Sequence, residues 1–137
     1  MGWFERAYRS LIGDLRELKS KALRSGFAEG EITRTLFEEV EVESDEDYRK
    51  LIHDDIPETL RKLLEKAGLR ECRVYRKKDA VAGAEYIAEC RYPEPIVVEM
   101  ETDFDWFDED LARVDLLFVK MEKGRLSPDI KPYYREV

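Results

Sequence analysis

The sequence contains no asparagine and no glutamine, although 41% of its 137 residues are charged. The missing amide side chains are thermolabile, and their loss accompanies enrichment in Glu, Lys and Arg in hyperthermophile proteins. The composition therefore predicts a protein from a thermophile. The length is sufficient for one domain with its own hydrophobic core.

Long apolar runs are also missing from the sequence. No segment approaches the roughly 20 apolar residues that a membrane-spanning helix needs. The first residues, Met1–Arg9, are charged and aromatic, and no apolar core of a leader peptide follows them. We expect a cytoplasmic protein that has no membrane partner.

Residues that build common catalytic and metal sites are scarce. His53 is the only histidine, which excludes multi-histidine metal sites. It lies beside Asp54 and Asp55, where it would act either as a base or as a plain surface residue near the end of a helix. Two cysteines are too few for a zinc quartet. The serines form no Gly-x-Ser-x-Gly motif, and the glycines form no phosphate-binding loop.

The two cysteines fall at facing positions of a predicted β-hairpin. Two alternating segments, Glu71–Lys78 and Glu85–Tyr92, flank a turn at Asp79–Gly83. In one register, three cross-strand pairs join opposite charges, whereas a slip by two residues would oppose like charges. These pairs are Lys77 with Glu85, Arg73 with Glu89, and Glu71 with Arg91. The same register places Cys72 opposite Cys90, as a disulfide or as two buried thiols, and the sequence leaves both states open.

The order of predicted elements indicates an α+β fold. Apolar residues at spacings of three and four predict an amphipathic helix over Gly2–Ser25. A second helical stretch begins after the N-cap Ser44 and is interrupted at Pro57. The segment before it, Phe27–Glu43, fits both a helix and a strand, and we favour a strand over its second half. Strands are predicted at Thr35–Glu43, Glu71–Lys78, Glu85–Tyr92, Ile96–Glu101 and Val114–Met121.

The predicted sheet is mainly antiparallel with helices on one face, and a ferredoxin-like βαββαβ variant fits this order. That variant uses a short helix, which we expect together with a loop at Asp103–Asp110. Val114–Met121 is apolar on both faces, so we place it centrally in the sheet and covered on both sides. Residues 1–125 are expected to form a single domain, and residues 126–137 an extended tail that docks on another surface.

Charge is distributed unevenly along the chain. The net charge is −8, yet Glu38–Asp47 and Glu99–Asp110 each hold seven carboxylates and no base, so the remainder is net positive. This balance disfavours a nucleic-acid partner and favours self-association or a basic protein partner. The apolar seam of the N-terminal helix, from Phe4 to Ala22, would either seal a dimer or pack on the chain's own sheet.

Four carboxylates are candidates for a metal site. Glu99, Glu101 and Asp103 are two residues apart on a predicted strand, so they share a face, and Glu89 is their neighbour in the hairpin register. Clustered carboxylates suit Mg²⁺ or Mn²⁺, which can drive phosphodiester hydrolysis with Glu99, Glu101 and Asp103 as catalytic residues. The alternative is a solvated acidic face that nearby bases neutralise.

An acidic and aromatic run is the candidate partner-binding segment. Asp103, Phe104, Asp105, Trp106 and Phe107 would dock on a basic, partly apolar surface, or else their rings would plug the core. The sequence thus favours a binding or assembly module that acts by protein–protein interaction. A divalent-metal-dependent phosphodiesterase or nuclease is the alternative, and a mimic of nucleic-acid charge is a third hypothesis.

Overall fold

The chain begins with a long amphipathic helix, α1 (Trp3–Ser25), in the computed structural model, which describes residues 2–78 and 85–137. The helix ends at Gly26, whose φ of 92° suits glycine and whose amide donates to the Ala22 carbonyl over 2.7 Å. The predicted helix is confirmed. Most of its apolar seam packs inside the molecule, which is one of the two alternatives that the sequence leaves open. The buried seam residues are Leu11, Leu15, Leu18 and Ala22.

In the described ranges, six strands form one sheet in which all neighbours are antiparallel. They are β1 (Phe27–Glu41), β2 (Arg70–Lys77), β3 (Glu85–Tyr92), β4 (Ile96–Trp106), β5 (Leu111–Lys123) and β6 (Tyr134–Glu136). Their order across the sheet is β1-β5-β4-β3-β2-β6. The helices pack on one face of this sheet, so the predicted α+β class is confirmed.

Strand β1 is longer than the strand predicted at Thr35–Glu43. Its pairing with β5 shifts register three times, first between Glu31 and Arg34 and twice more before Val40. Bulges of this kind interrupt the two-residue alternation of a strand. The helix-like spacing of Ile32, Leu36 and Val40 therefore reflects irregular pairing within a strand.

The second helical segment lies between β1 and β2. It consists of α2 (Asp45–Lys50), a π-helical turn (Leu51–Asp55) and α3 (Ile56–Lys66). The Ser44 side chain caps it by accepting a hydrogen bond from the Asp47 amide over 3.1 Å. Pro57 lies in the first turn of α3, directly after the π-helical turn. Because proline lacks a backbone donor, the helix changes type here and then continues.

The predicted register of β2 and β3 is confirmed. Val74 faces Ala88 and Tyr75 faces Ile87. Cys72 faces Cys90, and their sulfur atoms form a disulfide, which is one of the two states that the sequence leaves open. The predicted turn at Asp79–Gly83 lies outside the described residues.

The segment after Glu101 was expected to be a loop and a short helix, and this expectation is wrong. Residues 103–106 continue β4, with Thr102 and Phe104 buried while Asp103 and Asp105 are exposed. This alternation is that of a strand. Residues 107–110 are bends that lead into β5. The described part of the chain thus has no helix between β4 and β5, and the βαββαβ arrangement is not the one observed.

Strand β5 is apolar at both even and odd positions because the alternation of buried and exposed side chains changes phase within the strand. Glu101 faces Phe118 and Thr102 faces Leu116, so within the described ladder Leu117 has no partner on β4. Leu116 and Val119 are both fully buried on the helix-covered side, whereas Leu117 is half-buried. The bulge, and not cover on both faces, explains the pattern. The predicted strand is confirmed, but it is second from the sheet edge and covered by helices on one face.

The sheet face opposite the helices, here called the open face, is crossed by the C-terminal segment. Strand β5 lies beside β1, yet β6 pairs with β2 at the other edge, so residues 124–133 must pass over β4, β3 and β2. Leu126 anchors this crossing in a small apolar cluster with Tyr75 and Ile87. The tail expected at residues 126–137 thus supplies a strand of the sheet.

Candidate functional site

Two depressions lie on the open face, and the C-terminal segment contributes to both. The first, here called the acidic depression, has a volume of about 160 Å³. The second, the basic groove, has a volume of about 220 Å³. The acidic depression is lined by Glu85, Ile87, Glu99, Glu101, Phe118 and Tyr134. The basic groove is lined by Arg73, Arg91, Arg125 and Lys131 together with Glu71 and Glu89.

Lysines on neighbouring strands partly neutralise the acidic depression. Lys120 Nζ lies 3.3 Å from Glu99 Oε2, and Lys77 Nζ lies 3.5 Å from Glu85 Oε2. The second contact is one of the three cross-strand pairs predicted for the hairpin. Burial, together with the nearby carboxylates of Glu85 and Glu99, raises the pKa of the Tyr134 phenol, which therefore remains protonated at neutral pH.

The four carboxylates proposed as metal ligands are separated in the structure. Glu99 and Glu101 line the acidic depression, but Glu89 lines the basic groove and accepts a hydrogen bond from the Leu126 amide over 2.7 Å. Asp103 lies further along β4, opposite Asp115. The described residues include no group of three or more His, Cys, Asp or Glu placed to hold a metal ion. The Mg²⁺ or Mn²⁺ site and the phosphodiesterase therefore stay predictions without geometric support.

The proposed partner-binding segment divides into buried and exposed rings. Phe104 is buried, with its ring centroid 5.8 Å from that of Tyr48 and 6.1 Å from that of Trp106, both in edge-on contacts. Trp106 is 41% exposed and Phe107 is 54% exposed. Asp105 pairs with Arg113 over 2.9 Å, while Asp103 is exposed. One ring thus plugs the core, and two face solvent.

Both acidic runs meet beside these exposed rings. The Val42 amide, in the first run, donates to the Asp110 carbonyl at the end of the second over 2.6 Å. A shallow depression of about 260 Å³ is formed between the runs. We call this surface the acidic-aromatic end and define it as Glu43, Asp45, Tyr48, Trp106, Phe107, Glu109 and Asp110. Reasoning from the sequence missed it, because only the pairing of β1 with β5 brings residues so distant in the chain together.

His53 lies in the π-helical turn close to a buried tyrosine and a buried arginine. The Tyr86 hydroxyl donates to the Ile52 carbonyl over 2.6 Å, and Arg76 is only 8% exposed. Partial burial, followed by the positive charges of Arg76 and Arg135, lowers the pKa of the His53 imidazole. A neutral imidazole at physiological pH results, and no carboxylate is hydrogen-bonded to it in the described residues to orient it as a catalytic base.

We expect His53 to titrate below the ordinary histidine pKa of about 6.5. The folded state then binds fewer protons than the unfolded state between the two pKa values, so the stability that His53 contributes is fully present above about pH 6.5 and is lost as the pH falls through the folded pKa. Because His53 is the only histidine, NMR titration of its imidazole measures this pKa directly. Arg135→Ala should raise it, and a wild-type pKa at or above 6.5 would contradict the expectation.

In the described residues, no helix is long and apolar enough to cross a membrane. No family model, no curated protein and no solved structure matches this chain.

Proposed function

We propose that the protein is a non-catalytic interaction module whose acidic-aromatic end docks on a basic, partly apolar protein surface. The observation that carries this proposal is the convergence of two acidic runs around the exposed rings of Trp106 and Phe107. Aromatic side chains that are exposed in the free protein are typical anchors of protein interfaces. A ring of carboxylates around them selects a partner of opposite charge.

The electrostatics of the two runs support a basic partner. Each run holds seven carboxylates and no base. Of these carboxylates, Glu99 and Asp105 form ion pairs with bases elsewhere in the described sheet. The carboxylates of Glu43, Asp45, Glu109 and Asp110 leave a negative field at the acidic-aromatic end. Such a field steers a positively charged surface into contact and raises the association rate at low salt.

A partner of another sequence accounts for these features better than a symmetric dimer. Most of the α1 seam is buried in the core, so it offers little surface for a second copy. The acidic-aromatic end cannot pair with itself across a two-fold axis, because like charges would face each other. Self-association would have to join this end to the basic groove of another copy, and light scattering of the protein alone at low salt detects that arrangement.

The amino-acid composition supports the thermophilic origin and the cytoplasmic location that we infer for this module. The absence of Asn and Gln and the 41% of charged residues favour a protein that works at high temperature. A disulfide between Cys72 and Cys90 is compatible with a cytoplasmic location in a hyperthermophile, where intracellular disulfides are common.

We expect a synthetic amphipathic peptide of lysine and leucine to bind the acidic-aromatic end. Replacing Trp106 and Phe107 together with alanine should weaken this binding at least roughly 30-fold, which corresponds to about 2 kcal/mol for lost anchors. Isothermal titration calorimetry measures the change. In a Trp3→Phe background, Trp106 is the only tryptophan, and its fluorescence should shift when the peptide binds.

The matched control replaces two aromatic residues outside this surface that are at least as exposed, Tyr92 and Tyr133, with alanine. Their loss should leave the affinity within about twofold, because surface substitutions away from an interface have small effects. Raising the salt concentration should weaken the wild-type binding by screening. Equal affinities for the wild type and the Trp106/Phe107 variant would reject the proposal.

A further inference from the structure

The basic groove is assembled from three separate parts of the chain. Arg73 lies on β2, Arg91 lies on β3, and Arg125 and Lys131 lie on the C-terminal segment that crosses the open face. The buried side chain of Leu126 fixes this segment against Tyr75 and Ile87. Arg125 is therefore held beside the strands by an apolar anchor next to it in the chain.

The cross-strand ion pairs that would neutralise this groove are not formed. Hairpin register predicts that Arg73 pairs with Glu89, and the two residues do face each other. Glu89 instead accepts the Leu126 amide over 2.7 Å, so one of its carboxylate oxygens holds the crossing segment. In the described ranges, neither Arg73 nor Arg91 has an ion pair or a side-chain hydrogen bond, and the same is true of the Arg125 guanidinium.

Four cations and two carboxylates leave this groove with a net charge of about +2. A phosphate monoester carries about −1.5 to −2 at neutral pH and offers three acceptor oxygens. Guanidinium groups match phosphate oxygens with paired N–H donors. The volume of about 220 Å³ far exceeds the roughly 10–15 Å³ that one water molecule needs on the same measure. The charge, the donor groups and the size of the basic groove therefore all fit a phosphate-bearing ligand.

We propose that the basic groove is a binding site for a small phosphate-bearing ligand, held by Arg73, Arg91, Arg125 and Lys131. The acidic depression on the same face repels an extended polyanion, which limits the site to a small molecule. The site is independent of the acidic-aromatic end. The two lie near opposite ends of β4, which at about 3.4 Å per residue places them roughly 34 Å apart.

Calorimetric titration of the intact oxidised protein with inorganic phosphate and pyrophosphate tests this site, with sodium chloride at matched ionic strength as the blank. We expect phosphate and pyrophosphate to bind, with pyrophosphate tighter because it presents more oxygens to the guanidinium groups. Tighter binding of pyrophosphate would show that the groove engages more than one phosphoryl group, and equal affinity would show that it engages only one. No heat beyond the chloride blank would overturn the proposal.

The variant Arg91→Ala/Arg125→Ala should raise the dissociation constant for pyrophosphate at least tenfold. Its control, Arg24→Ala/Lys62→Ala, removes the same charge from exposed positions of α1 and α3 and should change the constant less than twofold. Both pairs are exposed, so the unfolding temperature of each variant should remain close to that of the wild type. Equal losses in the two variants would show that net charge alone attracts the anion and would reject the site.

Discussion

Leu116→Ala is expected to lower the free energy of unfolding by about 2–5 kcal/mol. Leu116 is fully buried on β5, under the helices, and its side chain packs in the main core cluster. Alanine removes its apolar surface and leaves a cavity that the surrounding strands cannot fill, and both losses weaken the folded state. Chemical denaturation followed by circular dichroism measures the change in midpoint.

The adjacent residue provides a matched control for this experiment. Leu117 occupies the bulge and is half-buried, so Leu117→Ala should cost at most about 1 kcal/mol. A regular strand covered on both faces would make the two substitutions about equally costly. Equal losses at Leu116 and Leu117 would therefore show that the bulge is absent and that the alternation of β5 does not change phase.

Reduction of the disulfide between Cys72 and Cys90 is expected to cost about 3 kcal/mol of stability. The two cysteines are 18 residues apart, and the bond limits the freedom of the unfolded chain by closing this loop. Because the facing strands keep their register, the reduced protein should remain folded at room temperature. Guanidinium unfolding with and without dithiothreitol measures the difference.

The variant Cys72→Ala/Cys90→Ala is the control for reduction, because its unfolding midpoint should not respond to dithiothreitol. It should resemble the reduced wild type, with a small further loss where the buried Cys90 side chain is shortened. A thiol assay should confirm that the reduced wild type has free thiols. If its unfolding midpoint then equals that of the oxidised wild type, the expected stabilisation is contradicted.

Local pairing rules are the part of this fold that can be read from the sequence. In the hairpin of β2 and β3, opposite charges and two cysteines fall at facing positions, so one register is better than its neighbours. The end of α3 is similarly local, since Gly68 adopts a φ of 94° and the Leu69 amide returns to the Leu64 carbonyl over 2.9 Å. Each of these features depends on residues that lie close together along the chain.

The irregular parts of the sheet escaped prediction for a physical reason. A bulge depends on how two strands meet, and the segments around Thr33 on β1 and Leu117 on β5 shift together. Neither segment shows this when examined alone, because a phase change within an apolar run resembles a strand buried on both sides. The extent of β4 beyond Glu101 was missed because its acidic residues alternate with only a few buried ones.

Much of the candidate site depends on contacts between distant residues. The exposed pair Trp106 and Phe107 lies in a run that the sequence marked as a docking segment, although Phe104 in the same run belongs to the core. The meeting of the two acidic runs could not be inferred, because the contact between Val42 and Asp110 spans half of the chain. The bond from the Leu126 amide to Glu89 was missed because it belongs to a crossing that no local pattern indicates.

The interrupted pairing of β1 affects how this protein behaves at high concentration, where molecules meet often. A fifteen-residue strand at the margin of a sheet would normally recruit a strand from another molecule and seed fibrous growth. Here three register shifts mark bulges, and bulges bend and twist a strand so that its edge is a poorer template for pairing. Carboxylates along the same margin add mutual repulsion between molecules. The bulges that obscure the strand in the sequence thus protect the folded molecule against polymerisation.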